Sequence, residues 1–249
     1  MATKAQKKEL IDIQPIEFAK IKIKVVGDSP LIVHAWGAKA KRQMLLDQIG
    51  SKKTKAKEPK NPLEDFVSSM YWLTPMPTEF TQKAVDKALK NAEFGFQASG
   101  FKQAAIAAAY RMQWVKDMVS SKGAFFIDGE VDSYYSGDLV TDFDKKTIDI
   151  VPNVIVHLPL VKIHSDTPVM REDMVRLSGI GRTADIRYRG EFRNWWADLT
   201  IRFNLNGAYS LDQVVNMIDA GGRINGIGEW RPEKDGDFGR YHVETYTEE

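Results

Sequence analysis

The stretch "AKIKIKVV", residues 19–26, constrains the fold of this chain more than any other. Ile21, Ile23 and Val25 alternate with Lys20, Lys22 and Lys24, and a period of two sends successive side chains to opposite faces of a strand. One face joins a hydrophobic core while the other presents ammonium groups. "GDSP" then turns the chain, and "LIVHAW" reads as a buried strand.

Further along, the pattern changes period. Residues 37–60 lose all alternation and read as a mobile basic insertion, in which Lys52, Lys53 and Lys55 belong to a set of eight cations set against only Asp47 and Glu58. "NPLEDFVSSMYWL" opens a helix: Asn61 caps it, Pro62 fits the first helical position, and Leu63, Phe66, Val67, Met70 and Tyr71 form its apolar stripe. A weaker helix covers residues 78–92. The strongest, "SGFKQAAIAAAYRMQWVKDMVSSKG" (99–123), carries an alanine-rich face suited to close packing on a sheet, with Gly123 as its stop. Short strands follow around "AFFIDG" and "NVIVHLPLVKI", with turn-rich acidic sequence between them.

Residues 164–184 resist assignment and read as a long loop insertion. Two strands are expected around Arg189 to Asn194, the second alternating Leu199, Ile201 and Phe203 with Thr200 and Arg202. "SLDQVVNMIDAGG" is a compact helix opened by a Ser210–Gln213 capping box and ended by Gly221–Gly222. "GRINGIGEWRPEKDGDFGRYHV" (222–243) then supplies a last strand pair. With the insertions set aside, the order is β-α-β-β-α-β, an α+β, ferredoxin-like or RRM-like core in one domain spanning 1–249. Its helices cover one sheet face and leave the other open, where single-stranded nucleic-acid readers of this fold lay their ligand.

Composition narrows the function classes. The chain has 249 residues, no cysteine, 28% charged residues and a formal net charge of +1. Disulfides and cysteine-based metal or redox sites are thereby excluded, and a reducing, cytoplasmic setting is the natural expectation. The first fifteen residues lack the apolar core of a signal peptide, and no segment reaches the length of a membrane span. Near neutrality with basic islands suits a protein that holds a polyanion locally. The second island comprises Arg171, Arg176, Arg182, Arg187, Arg189 and Arg193, interleaved with aromatics and acids. Arg187 and Arg189 share strand parity and project together.

Cations of this kind neutralise phosphates, and Trp195, Trp196 and Trp230 could stack on unpaired bases. The competing reading makes the tryptophans core and the cations a solvated edge. His164, Asp166 and Asp173 match no metal-ligand spacing, so no metal and no cofactor is expected. His34 or His164 could serve acid–base cleavage of RNA, since imidazole titrates near neutrality. No Walker, dinucleotide, Gly-x-Ser-x-Gly or His-Glu-x-x-His motif occurs.

Gly226 and Gly228, followed after a polar spacer by Gly236, Gly239 and "RYHV", directly follow the Ser210 helix. This placement resembles the carboxy-terminal glycine-rich loop of the RAMP superfamily, the ferredoxin-fold proteins of CRISPR systems. The resemblance implies a protein like the backbone subunits that coat guide RNA, with the insertions at 37–60 and 164–190 in the places of their thumb and finger elements. Neither the cleaving aspartate of the slicing members nor the histidine of the processing endonucleases can be assigned here. The lysine-rich insertion, "GIGEWRP" and the lack of cysteine also give the chain the look of a bacteriophage product.

The leading expectation is a protein that binds single-stranded RNA or DNA, assembling as a homo-oligomer or filament along it. Its contacts would be Lys20, Lys22, Lys24, Lys52, Lys53, Lys55, Arg171, Arg176, Arg182, Arg187, Arg189, Arg231 and Arg240, with the four glycines approaching the strand. A metal-independent RNA endonuclease, and a phage interaction protein that mimics a CRISPR subunit within a nucleoprotein complex, are the alternatives. For a phage product, the compartment is the host cytoplasm.

Overall fold

The computed structural model describes residues 15–49, 59–142, 144–145, 147–176 and 184–248. In chain order the elements are β1 (Phe18–Gly27), β2 (Leu31–Val33), α1 (Ala38–Gln48), α2 (Pro62–Ser68), β3 (Tyr71–Trp72), α3 (Gln82–Leu89), β4 (Phe94–Gln97), α4 (Ala98–Arg111) and α5 (Met118–Ser121). They continue with β5 (Phe125–Asp128), β6 (Val131–Asp142), β7 (Thr147–Ile163), β8 (Val169–Arg176), β9 (Ala184–Phe192), β10 (Trp196–Asn204), α6 (Leu211–Ala220) and β11 (Tyr241–Glu248).

A four-stranded antiparallel sheet in the order β11-β1-β10-β5 holds the core of the fold. The helix α4 stands between β1 and β5 in the chain, and α6 between β10 and β11. This is the β-α-β-β-α-β connectivity of a split α+β sandwich. Ile21, Ile23 and Val25 meet Ala197, Leu199 and Ile201 under the helices, and all six are buried. Against them α4 sets Phe101, Ala104, Ala105, Ala108 and Ala109. Alanine at these positions lets α6 come close: Gly221 lies so near the α4 backbone that an added Cβ would stand 2.7 Å from the Ala105 nitrogen.

Two further β-systems pack on this unit. The sheet β2-β9-β8 carries the arginine-rich segment, and β3, β4, β7 and β6 close into a small ring. One hydrophobic cluster runs through all three, with Trp72, Trp195, Tyr241 and Phe192 among its largest buried members.

Several elements differ from expectation for readable reasons. The first part of the 37–60 segment is the helix α1, whose only buried residue is Ala38; Arg42 ties it to β7 by donating to the Ile148 carbonyl at 2.6 Å. A helix with so thin an apolar stripe leaves no periodic signal. The acidic stretch after β5 is no turn but the hairpin β6–β7, whose register shifts near Val131/Ser133 and Ser136/Asp138 break the alternation. Much of the 164–184 segment is likewise a strand, β8, paired to β9 from Val169–Glu191 to Arg176–Ala184. Two of its three inward positions, Arg171 and Asp173, hold charge instead of apolar groups, which hid it.

Helix α4 stops at Arg111 rather than continuing to Gly123, because Gln113 takes a left-handed φ of 59°. Helix α6 keeps its capping box, as expected, yet Gly221 and Gly222 do not end it. They continue into a π-type turn, Gly221–Asn225, that closes at Gly226. The glycine-rich stretch is then a hydrogen-bonded loop with one short 3-10 turn, Pro232–Lys234, and a single strand, β11. Finally β9 and β10, the two strands expected around Arg189 to Asn194, belong to different sheets.

Candidate nucleic-acid interface

On the face of the four-stranded sheet away from the helices, register places Lys20 beside Arg202 and Lys22 beside Thr200, with Phe126 next to Arg202 on the other side. Phe18, two residues before Lys20, shares this face. Its ring lies 5.9 Å from that of Phe126 in an edge arrangement, and both are solvent-exposed. The Arg202 guanidinium stands 5.6 Å from the Phe126 centroid and the Lys102 ammonium 4.4 Å from it. Each such contact stabilises by about 0.5–1 kcal/mol at an exposed site. Burial pushes the Lys102 ammonium below its ordinary pKa, as expected for a cation partly withdrawn from water.

The cations of this face are not equally free. Lys24 bridges to Glu244 at 2.6 Å and lies 5.2 Å from the Trp196 ring. Arg202 pairs with Asp128 at 2.7 Å. Lys20 and Lys22 are exposed, and among the described residues no carboxylate engages either. Trp196 stacks flat on His164, with centroids 3.8 Å apart and 6° between planes.

Around the β5 edge, Lys102 also lines a cleft of about 690 Å³ between helix α4 and the glycine-rich loop. His34, Gln103, Lys122, Asn225, Gly228, Glu229 and Arg231 line it as well. His34 Nδ1 lies 3.6 Å from Glu229 Oε1, and this contact is the main reason Glu229 sits below the usual carboxylate pKa, with Arg189 acting the same way against burial. Helix α4 begins at the cleft without a side-chain cap, so its first N–H groups are not taken up locally.

The arginine island is a structural network instead. Arg193 pairs with Glu191 at 2.7 Å, and Arg171 joins Glu191 at 3.0 Å to Asp173 at 2.8 Å. Arg189 then links Asp173 at 3.1 Å to Glu229 at 3.3 Å. Arg189 is 1% exposed, and Arg171 covers the Phe238 ring at 4.4 Å. The shared parity of Arg187 and Arg189 therefore does not project both outward: Arg187 is half-buried near Asp185, 3.9 Å away, and Arg176 is exposed. Arg231 holds Glu233 at 2.7 Å and the Gly228 carbonyl at 2.9 Å, and Arg240 holds Asp237 at 3.3 Å. Lys52, Lys53, Lys55 and Arg182 lie outside the described residues.

The glycines are accounted for by the loop's own folding. Gly226, Gly228 and Gly239 take φ of 67°, 75° and 66°, a region costly for other residues. Gly236 has ordinary φ, but its Cβ would fall 1.8 Å from the Trp230 carbonyl. The loop N–H groups of Gly226, Ile227, Glu229, Gly236, Phe238 and Gly239 all donate within the protein. Trp195 is core, its Nε1 donating to the Ser29 carbonyl at 2.9 Å.

The residues considered for a metal are separately engaged: His164 by Trp196, Asp166 by Asn194 at 2.7 Å, and Asp173 by the arginines. Among the described residues no group of three His, Asp or Glu side chains is placed to hold a metal ion. Nor, among the described residues, is any helix long and apolar enough to cross a membrane.

Sequence reasoning did not single out Phe18, Phe126 or Lys102. The alternation that exposed Lys20 and Lys22 extends one step back to Phe18; Phe126 and Lys102 needed the register of β5 and the seating of α4.

No family model matches the chain, and no curated protein matches it either. Among solved structures it is similar to the crystal structure of Cmr6 from Pyrococcus furiosus, with 11% sequence identity and a TM-score of 0.32 over 92% of this chain and 100% of that one.

Proposed function

We propose that this protein binds single-stranded nucleic acid on the uncovered face of its four-stranded sheet. The observation that carries this reading is the Phe126 cluster: two exposed rings 5.9 Å apart, flanked by Arg202 and Lys102, beside the unengaged Lys20 and Lys22. Exposed rings give unpaired bases a stacking surface, and lysines neutralise the phosphates between them. Duplex bases are already stacked and cannot use the rings. In this reading the chain is RAMP-like, on the strand order and the glycine-rich loop that follows α6. It acts in the cytoplasm, and copies assemble side by side along the strand.

The test is fluorescence anisotropy with matched single-stranded and duplex RNA and DNA. Wild type is expected to prefer single strands, and Phe126→Ala to lose about 1–3 kcal/mol of binding. Equal affinity for duplex, or an unaffected Phe126 variant, contradicts the reading.

One observation favours cleavage as a second reading. His34 faces the cleft with Glu229 against its Nδ1 and Lys102 on the same lining. Such an imidazole could take the proton of a ribose 2′-hydroxyl, whose oxygen attacks the adjacent phosphorus and expels the 5′-oxygen, which takes a proton from water. Incubation of RNA with chelator present tests it. Cleavage to a 2′,3′-cyclic phosphate that His34→Ala abolishes supports the reading, and cleavage that persists in the variant removes it.

A further inference from the structure

Beyond the cleft, the last turn of α4 and the loop after it present an unusual surface. Tyr110, Met112 and Trp114 are 49%, 45% and 48% exposed within five residues. The loop carrying them is firmly built. Met112, Gln113 and Trp114 donate their N–H groups to Ala108, Tyr110 and Ala109 at 2.9, 3.0 and 2.9 Å, and Val115 anchors the loop in the core at 6% exposure. The left-handed Gln113 turns Trp114 out of the helical path. The rings are thus held out by a rigid backbone, and no collapse onto the core hides them.

Charge indicates what they meet. Arg111 and Lys116 line the same shallow pocket as Tyr110 and Trp114. Arg111 lies 3.8 Å from Glu233, which Arg231 also holds at 2.7 Å, and Asp117 accepts from the Ser120 N–H at 2.8 Å. Lys116 and Lys122 are exposed, and among the described residues no carboxylate engages either. The surface also adjoins the cleft, because Met118 and Lys122 line that cleft just past the loop. The cleft also reaches Lys102 and, through it, the Phe126 ring. Exposed rings beside the unengaged Lys116 and Lys122 match a strand of unpaired bases better than a protein surface, because protein docking patches are depleted in lysine.

We infer that Trp114 and Tyr110 form a base-stacking subsite for the same strand, with Lys116 on a flanking phosphate. The strand passes from the sheet face around the β5 edge, through the cleft past Lys102 and Lys122, and ends on this platform. This inference rests on the nucleic-acid reading above and extends it to residues on the opposite side of the core.

The experiment compares a short oligouridylate with an abasic ribose-phosphate strand of equal length, using the full chain. Trp114→Ala is expected to weaken oligouridylate binding roughly tenfold and leave abasic binding unchanged. Trp114→Phe, which keeps a ring, is expected to bind like wild type. Equal losses on both strands, or no loss on either, overturn the platform. So does a Trp114→Ala variant whose oligomeric state changes while its affinity does not, which assigns the surface to a second copy. If wild-type binding depends on Phe126 but not on Trp114, only the platform falls. If wild type binds neither strand, the underlying reading falls with it.

Discussion

Arg189 of β9 joins Asp173 of β8 at 3.1 Å, and its other terminal nitrogen reaches Glu229 of the glycine-rich loop at 3.3 Å. One buried guanidinium thereby fastens a sheet to the loop that borders the cleft. Its Nε has no acceptor, so the two carboxylates supply the compensation that a buried cation requires. Removing the cation leaves Asp173, itself 6% exposed, with Arg171 alone. Arg189→Ala is expected to lower unfolding free energy by about 3–5 kcal/mol in denaturant titration. Affinity for single strands, measured at a temperature where the variant is folded, is expected to stay near wild type.

The same network sets an acid limit on stability. Burial pushes Glu191 up, but Arg193 and Arg171 outweigh it and hold its carboxyl below the ordinary 4.5. Glu229 is held below 4.5 chiefly by His34. A carboxylate with a folded pKa below its unfolded one contributes stability that is complete above the unfolded value. That contribution disappears as pH falls through the folded value. Thermal melting is therefore expected to be flat just above pH 4.5 as far as these groups are concerned, and to fall steadily below it. Glu191→Gln is expected to melt lower at neutral pH with a shallower acid limb. An acid limb identical to wild type would remove Glu191 from the account.

Gly228 tests the loop by itself. Its φ of 75° and an approach that would put a Cβ 2.4 Å from the Ile32 carbonyl leave no room for a side chain. Gly228→Ala is expected to cost roughly 1–3 kcal/mol of stability. Because Glu229 donates its N–H to that same carbonyl at 2.9 Å, the displaced loop should also shift Glu229 from His34. A change in the His34 ring chemical shifts by NMR checks this coupling.

How much of this was legible in the sequence depended on which periodicities survived burial. The Ile/Lys alternation of β1, the Asn61 cap and the Ser210–Gln213 box are local patterns, and each stands where its residues indicated. The split α+β topology followed from their order. Strand β8 was invisible because its buried positions are Asp173 and a half-buried Arg171, satisfied by partners distant in sequence. For the same reason the arginine island read as a phosphate surface: sequence displays charge but not the carboxylates that neutralise it. The Phe126 cluster escaped notice because it exists only after β5 pairs with β10 and α4 seats Lys102 over the edge.

The central claim, phosphate contact by the unengaged lysines of the uncovered face, is tested most directly by salt dependence. Single-strand affinity is plotted against salt on logarithmic axes for wild type and for Lys20→Gln/Lys22→Gln. Each phosphate contact on a single strand contributes about 0.7 to the slope. The double variant is expected to bind more weakly at low salt, with a slope shallower by about 1.4. A slope identical to wild type would contradict the claim.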